Sequence, residues 1–384
     1  MTEAISPDAH QPPRILLVGL LPGMGSMHLP RRLARAGLEV VFAGIRACLA
    51  SRSGHVRAFC PWQFNEGGGL AVEPFIQCVR QLQPQWVIPL DEVSSQMLQQ
   101  MGVGRLPGGQ SALPNDVVAL LQRSLGHPGG YPLFAVRRRA FETAREANIP
   151  APVQADVGTL DACLEFARSH GYPVVLKQET SRGGVGTFIL DNDAALRDFA
   201  ASGRLSRPGP PWVIQAFVNG ALGMHAVFAQ QGRVLAQVSA IQLSRRSARM
   251  TAPSSVVRLL QHDAMSASCA AFVAANQASG FHGWDFQLDE AGNALMIEHN
   301  PRPISISHLG HLLGDDLCGA LAHVCGVAPA KPQVHAEGER LVALFPDEWQ
   351  RDPHSPMLHD AFHDAPWDDQ PLLTALLQEN MRLI

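Results

Sequence analysis

The sequence predicts two architectures in one chain, an open parallel α/β domain followed by an α+β half. Three observations predict them. In the N-terminal quarter, short apolar runs alternate with helical patterns. The segment Ile149-Pro150-Ala151-Pro152 then stops a helix, because proline cannot continue one and pushes its predecessor into an extended conformation. Beyond Trp212, strand-like runs follow one another with no helix between them, which calls for antiparallel pairing.

Taken in order, Arg14–Gly19 (RILLVG) is an apolar run ending in glycine, a helical pattern passes through Leu29, Leu33 and Ala36, and Glu39–Ala43 is a second apolar run. Strand, helix, strand is the natural reading. A helix over Phe75–Leu82 leads to the strand Trp86–Leu90, after which Asp91 serves as a helix cap. Glycine and proline crowd Arg105–Tyr131, the composition of a linker. A helix over Ala135–Asn148 precedes the break. After it come a helix (Leu160–His170), a strand (Pro173–Lys177), a glycine-rich turn, a strand (Thr187–Leu190) and a helix (Ala194–Ala201). Strands Trp212–Phe217, His225–Ala229 and Arg233–Ala240 come next. A helix over Asp263–Ala278 then precedes a hairpin of Trp284–Leu288 and Ala294–Glu298 that turns at Asp289–Gly292. Leu312–Ile384 holds one more helix and a tail rich in Pro, Asp and Trp.

Composition narrows the function. A chain of 384 residues has room for two or three domains of roughly 100–200 residues. Hydrophobic residues at 46% and charged residues at 17% are ordinary globular usage. No apolar run approaches the roughly 20 residues that span a bilayer, and no membrane partner is expected. Met1–Pro13 lacks the charged-then-apolar pattern of a signal peptide, so a cytoplasmic location is expected. A net charge of −4 offers no basic face for nucleic acid. Seven cysteines, an odd count without a CxxC pair, fit reduced thiols better than a disulfide framework or a zinc site.

The most informative segment is Trp284-Asp-Phe-Gln-Leu-Asp-Glu-Ala-Gly-Asn-Ala-Leu-Met-Ile-Glu298-His-Asn300-Pro-Arg302. On a hairpin, residues of matching parity point to one face, so Asp285, Glu298 and Asn300 converge across adjacent strands. Three hard oxygen donors at one spot suit Mg²⁺, which takes few protein ligands and completes its octahedron with water and phosphate oxygens. Two acids in an apolar hairpin are otherwise costly to bury, the other reading being two solvated strand residues. The second segment is Pro173-Val-Val-Leu-Lys177-Gln-Glu-Thr-Ser181-Arg-Gly-Gly-Val-Gly186. A strand with an inward lysine and a glycine-dense turn is what polyphosphate binding needs, although such a turn is also compatible with a plain hairpin connection. It is not a Walker loop, because GxxxxGK[ST] is absent.

The order of Lys177 in PVVLK, the SRGGVG loop, Val213-Ile-Gln-Ala-Phe-Val-Asn-Gly220 and WDF…IEHNPR resembles the ATP-grasp superfamily over roughly Ala135–Gly310. The separation of Asp285 and Glu298 (298 − 285 = 13) and the E-x-N-P-R ending look like that family's magnesium signature. The resemblance implies a pre-ATP-grasp N-terminal α/β domain (1–115), a linker (116–134), a lid subdomain with the Gly-rich loop (135–220), a magnesium-binding subdomain (221–330) and a C-terminal extension (331–384).

It also implies roles. Asp285, Glu298 and Asn300 would hold Mg²⁺, or Mn²⁺ in its place. Lys177 would contact the α- and β-phosphates of ATP, and the loop containing Ser181, Gly183, Gly184 and Gly186 would close over the β- and γ-phosphates. Gln215, Phe217 and Val218 would hold adenine. Arg302 would sit near the acyl phosphate or the substrate carboxylate. A second phosphate-binding cation falls to Arg137, Arg138 or Arg139, and Arg138 is favoured. One departure stands out: two residues past Gly220, where the family usually has a glutamate for the ribose hydroxyls, this chain has Leu222.

Three further segments have two readings each. Ser244–Arg258 carries four arginines that would clamp a phosphate or carboxylate, or form a solvated basic loop. His308 is either a substrate contact or a core or surface histidine. Gly19-Leu-Leu-Pro-Gly23-Met-Gly25 invites a dinucleotide reading, but its spacing is not GxGxxG and no acidic residue follows the second strand. The expected activity is therefore an ATP- and Mg-dependent ligase. It would activate a carboxylate as an acyl phosphate and join it to an amine of a small, amino-acid-like substrate, in a chain compatible with a homodimer. The alternatives are a nucleotide-binding module without turnover and, from another class, a nicotinamide-dependent oxidoreductase.

Overall fold

The computed structural model describes residues 11–23, 26–66, 68–104, 113–131, 137–179, 186–205, 211–249, 252–328 and 339–381. Two units divide the chain. The first is Met1–Ser124 with Asp316–Val334 and Pro366–Ile384; the second is Leu125–Asp315 with His335–Ala365.

In the first unit, β1 (Arg14–Gly19), β2 (Glu39–Gly44), β3 (Val56–Pro61) and β4 (Trp86–Pro89) form a parallel sheet in the order β3-β2-β1-β4. Parallel neighbours need crossovers, and α1 (Leu29–Arg35) and α2 (Glu73–Leu82) supply two of them. β1, β2 and β4 are buried on both faces, which is why each reads as a continuous apolar run. β3 lies at the edge, half-exposed, and its weaker pattern VRAFCP gave no strand signal in the sequence. Where β1 and β2 end together, Gly44 has φ +143°, and a Cβ there would lie 1.9 Å from the Gly19 carbonyl oxygen. That oxygen already accepts from Ile45 N–H at 3.0 Å, so it has no room to yield.

Asp91 caps α3 (Glu92–Gly102) as expected, closing a capping box with Ser94. The span expected as a linker, 116–134, opens within α4 (Asn115–Leu125). Val117, Leu120 and Leu121 form its buried stripe, and Ser124 accepts from Val87 N–H of β4 at 3.0 Å. The distal parts of the chain also return to this unit. Arg31 pairs with Asp368 at 2.8 Å and Arg32 with Asp316 at 3.0 Å, while Gly54 N–H donates to Asp369 at 2.8 Å.

The second unit holds two sheets. β5 (Gln154–Val157), β6 (Val174–Gln178), β7 (Thr187–Leu190) and β8 (Trp212–Ala216) form an antiparallel sheet in the order β5-β8-β6-β7. α5 (Arg137–Glu146) precedes it, and α6 (Leu160–His170) and α7 (Asp193–Ala201) cover it through Phe166, Leu196 and Phe199, packed on Leu176, Trp212 and Ile214. The seven-stranded sheet runs β13-β12-β9-β10-β11-β14-β15. Its members are β9 (Ala221–Gln230), β10 (Arg233–Arg245), β11 (Ser254–Leu260), β12 (Gly280–Leu288), β13 (Ala294–Asn300), β14 (Arg340–Ala343) and β15 (Phe362–His363). α8 (Asp263–Ala275) lays Met265, Cys269, Phe272 and Val273 on β9 and β10.

The arginine-rich segment is strand at its two ends, where β10 finishes at Arg245 and β11 runs from Ser254. Arg246 pairs with Asp347 at 3.2 Å and Arg258 with Glu339 at 3.3 Å, so two of its four arginines answer acids of the C-terminal segment. No helix among the described residues is long and apolar enough to cross a membrane.

This packing has two measurable consequences. Gly44→Ala forces a side chain onto a backbone carbonyl in a left-handed conformation, and thermal unfolding should show a loss of about 1–3 kcal/mol. An unshifted midpoint would mean the two strand ends move apart freely. His225 is fully buried with Nδ1 at 2.8 Å from Ser239 Oγ, and burial pushes its pKa down to about 4. The unfolded chain therefore binds a proton that the folded one rejects. The neutral histidine's contribution is complete above about pH 6.5 and is lost as the pH falls towards about 4. The unfolding midpoint should drop between pH 7 and pH 5, and His225→Gln should flatten that slope.

Candidate active site

β12 and β13 carry the acidic hairpin, and their register sets the site. Asp285 stands directly opposite Glu298, and Gly283 directly opposite Asn300. Beyond Asp285 the register shifts: Phe286 faces Met296, so Ile297 is an extra residue on β13. Successive strand residues alternate faces, so Asp285, Glu298 and Asn300 share one face of the sheet. Directly opposed side chains hold their Cβ atoms about 5 Å apart. Two carboxylate charges at that separation repel by about 3 kcal/mol at an effective dielectric of about 20, a figure that the half-exposure of both residues reduces. A divalent cation converts this repulsion into coordination. The donor set, two carboxylates and a carboxamide on adjacent strands, fits Mg²⁺.

The reverse face of the same hairpin is sealed by rings. His299, between Glu298 and Asn300, lies 4.6 Å by centroid from Phe272 of α8 and 4.9 Å from Trp284. His282 Nδ1 is 3.2 Å from His299 Nε2, and burial pushes both imidazoles down in pKa, His282 to about 4. Both are neutral near pH 7, which is how they enter an aromatic core. Gly283 matters on the ligand face: a Cβ there would lie 2.4 Å from Ile304, so glycine lets the segment after Arg302 fold back on the strand.

Lys177, on β6, is buried. Its ammonium donates to Gln215 Oε1 at 2.8 Å and to the carbonyl of Ile297 at 3.4 Å. The bulge residue next to Glu298 thus receives the lysine, which places this cation beside the acidic pair. Gln215, expected at adenine, has its side chain on Lys177 and on Gln154, whose Oε1 accepts from Gln215 Nε2 at 3.4 Å. Phe217 and Val218 are half-buried in the connection between β8 and β9, and Phe217 N–H donates to the Pro173 carbonyl at 3.3 Å. That connection meets the end of β12 closely: Gly220 has φ +145°, and a Cβ there would lie 1.7 Å from the Leu288 carbonyl oxygen.

Arg302 folds back on the signature, one guanidinium nitrogen donating to Asn300 Oδ1 at 3.2 Å and another to the Pro303 carbonyl at 3.1 Å. Arg138 projects from the exposed start of α5. Its side chain pairs with Asp156 at 3.1 Å and its N–H donates to Glu179 at 2.7 Å. An exposed pair of this kind contributes little and yields readily to a phosphate. Of the Gly-rich loop, Gly186 is described, its carbonyl accepting from Gln178 N–H at 3.0 Å; Ser181, Gly183 and Gly184 lie outside the described residues. His308 is buried with Nε2 at 2.8 Å from Asp364 of the C-terminal segment.

The site contains one polar residue that sequence reasoning passed over, Gln287, two residues beyond Asp285 on the same face. Its only signal was that parity. In the first unit, the N–H groups of Leu20 and Leu21 both donate to Asp91, at 2.7 and 3.1 Å. A dinucleotide's pyrophosphate would need such donors at the end of β1, so the carboxylate takes the place a phosphate would occupy.

Comparisons with known proteins bear on the fold. Residues 137–313 match the family described as carbamoyl-phosphate synthase L chain, ATP binding domain. A carbamoyl phosphate synthase large chain of Thermotoga petrophila is 26% identical over 214 residues, which is 51% of this chain and only 19% of that protein's length. Biotin carboxylase from Campylobacter jejuni, solved as a β,γ-ATP complex, superposes with a TM-score of 0.62 at 14% identity, over 85% of this chain and 74% of that one. An L-amino acid ligase from Bacillus licheniformis gives 0.54 at 16% identity, over 85% and 76%. Residues 137–313, just under half of the chain, thus match an ATP-binding domain of the ATP-grasp type, and the solved structures share its fold.

Proposed function

We propose that this chain is an ATP- and magnesium-dependent ligase that activates a carboxylate as an acyl phosphate and couples it to an amine of a small, amino-acid-like substrate. The observation that carries this reading is the opposition of Asp285 and Glu298, with Asn300 on the same face and Lys177 resting on the intervening bulge. A carboxylate attacking a γ-phosphate brings anions together, so a catalyst must supply positive charge where negative charge gathers. Magnesium, held by Asp285, Glu298 and Asn300, would neutralise the phosphate oxygens.

The remaining work falls to the chain itself. Lys177 lies beside the acidic pair, where it would contact the α- and β-phosphates, its direction set by Gln215. Arg138 would leave Asp156 for phosphate. The backbone N–H groups of Ser181, Gly183, Gly184 and Gly186 would cover the phosphates and exclude water from the acyl phosphate. Phe217 and Val218 would bracket adenine. Arg302 can swing from Asn300 to the substrate carboxylate, which its planar guanidinium matches in bidentate fashion. Leu222 favours a second reading, a nucleotide-binding module without turnover, since a leucine accepts no hydrogen bond from a sugar.

Magnesium-dependent ADP release across a panel of amino acids separates the two. Tight ATP binding with no ADP release from any pair would leave the binding module. Glu298→Gln should lower turnover about 100-fold or more, because the magnesium would lose an anionic ligand and the phosphate charge its neutralisation. Unchanged turnover would place the metal elsewhere. Lys177→Ala should weaken ATP binding about tenfold or more, the scale of a lost charge-assisted hydrogen bond, as read by calorimetric titration. An unchanged affinity would remove the lysine from the nucleotide.

A further inference from the structure

Taking the nucleotide site as proposed above, we infer that Gln287 reads the ribose hydroxyls of the bound nucleotide. The position follows from strand geometry. Base and phosphates are fixed at two places: the β8–β9 connection ending at Gly220, and the Asp285–Glu298 pair. The sugar is bonded between them. β12 links the same two places, since Asp285 lies on it and Gly220 abuts the Leu288 carbonyl at its far end. At about 3.4 Å per residue, Gln287 stands about 7 Å from Asp285 along the strand, one residue short of the Gly220 contact. It shares the face of Asp285.

The rung on which Gln287 sits is otherwise aliphatic. It pairs with Leu222 of β9 on one side and Leu295 of β13 on the other. Neither leucine can accept from a hydroxyl, so on this rung the carboxamide alone can. Its orientation is determined as well: Nε2 donates to the Gly220 carbonyl at 2.7 Å. A carbonyl oxygen receives hydrogen bonds only from the NH₂ end of a carboxamide, so Oε1 is the end left to accept. A sugar hydroxyl is a donor, and Oε1 is the complementary acceptor. Leu222 therefore does not leave the sugar unread; the acceptor stands on the neighbouring strand.

The test compares Mg·ADP with Mg·2′-deoxy-ADP and Mg·3′-deoxy-ADP by isothermal titration calorimetry on the full chain. The wild-type protein should bind ADP about three- to tenfold more tightly than at least one of the deoxy forms, the worth of one neutral hydrogen bond. In Gln287→Leu that preference should vanish through weaker ADP binding, with affinity for the deoxynucleotide unchanged. Gln287 is half-exposed, and an unaltered melting temperature of the variant keeps the comparison on the contact itself. Retention of the full preference in the variant overturns the inference, as does a wild-type protein indifferent to both hydroxyls. A variant that loses preference for ADP over IDP while still rejecting the deoxy forms also overturns it, by placing Gln287 at the base. A wild-type protein that binds none of these nucleotides defeats the ligase reading instead, a separate result.

Discussion

One extra residue on β13 decides whether a site exists. The hairpin turn sets Leu288 opposite Ala294, and a straight continuation of that register would bring Ile297 opposite Asp285. Glu298 would then point to the other face, into the rings of Phe272 and Trp284. A register slip of one residue inverts every side chain, and the bulge at Ile297 applies that slip once, just before Glu298. Everything distal to it, Glu298 and Asn300 included, is thereby turned to the face of Asp285. The same irregularity withdraws the Ile297 carbonyl from regular pairing, and Lys177 takes it.

The two faces of that hairpin solve opposite electrostatic problems. On the ligand face, charges are gathered: Asp285, Glu298, Lys177 and Arg302 sit within one neighbourhood, held by Gln215, the Ile297 carbonyl and Asn300. On the reverse face charge is refused. His225 and His282 are buried and His299 is half-buried among rings, all three with depressed pKa values, so three imidazoles near pH 7 behave as polar aromatic rings. Their packing against α8 stiffens the strands from behind. A metal site needs its donors held with little freedom, and a sheet with a close-packed reverse face supplies that.

Much of this was legible in the sequence, for identifiable reasons. β1, β2 and β4 are buried on both faces and so announce themselves as apolar runs. The IPAP break and the turn at Asp289–Gly292 use residues whose backbone preferences are strong. Lys177 and the acidic hairpin were visible because few folds place those residue types in that order. The elements that were missed lack local signal. β11 hides among serines and arginines because its Arg258 answers Glu339, an acid 81 positions away (339 − 258). The helix Asn115–Leu125 was obscured by the glycines and prolines that flank it. Within the segment 331–384, Asp368 and Asp369 bind the first unit while β14 and β15 complete the larger sheet of the second. Such pairings are set by tertiary contact and leave no trace in periodicity. The bulge itself is equally silent, since ALMIEHN reads the same with or without it.

The charge inventory of the site explains why its parts are arranged as pairs. Asp285 and Glu298 are balanced by Lys177 and Arg302, so these four side chains sum to zero. A triphosphate arriving alone would face two carboxylates across the hairpin, and a divalent ion arriving alone would face a lysine held one residue from Glu298. Each is opposed by half of the site. In the site as proposed, metal and nucleotide together would satisfy both halves, the carboxylates taking the ion and the cations the phosphates. In the proposed ligase the two therefore bind with mutual reinforcement, and the bulge that turns Glu298 towards the ion while offering a carbonyl to Lys177 is the point where the two halves of that balance are joined.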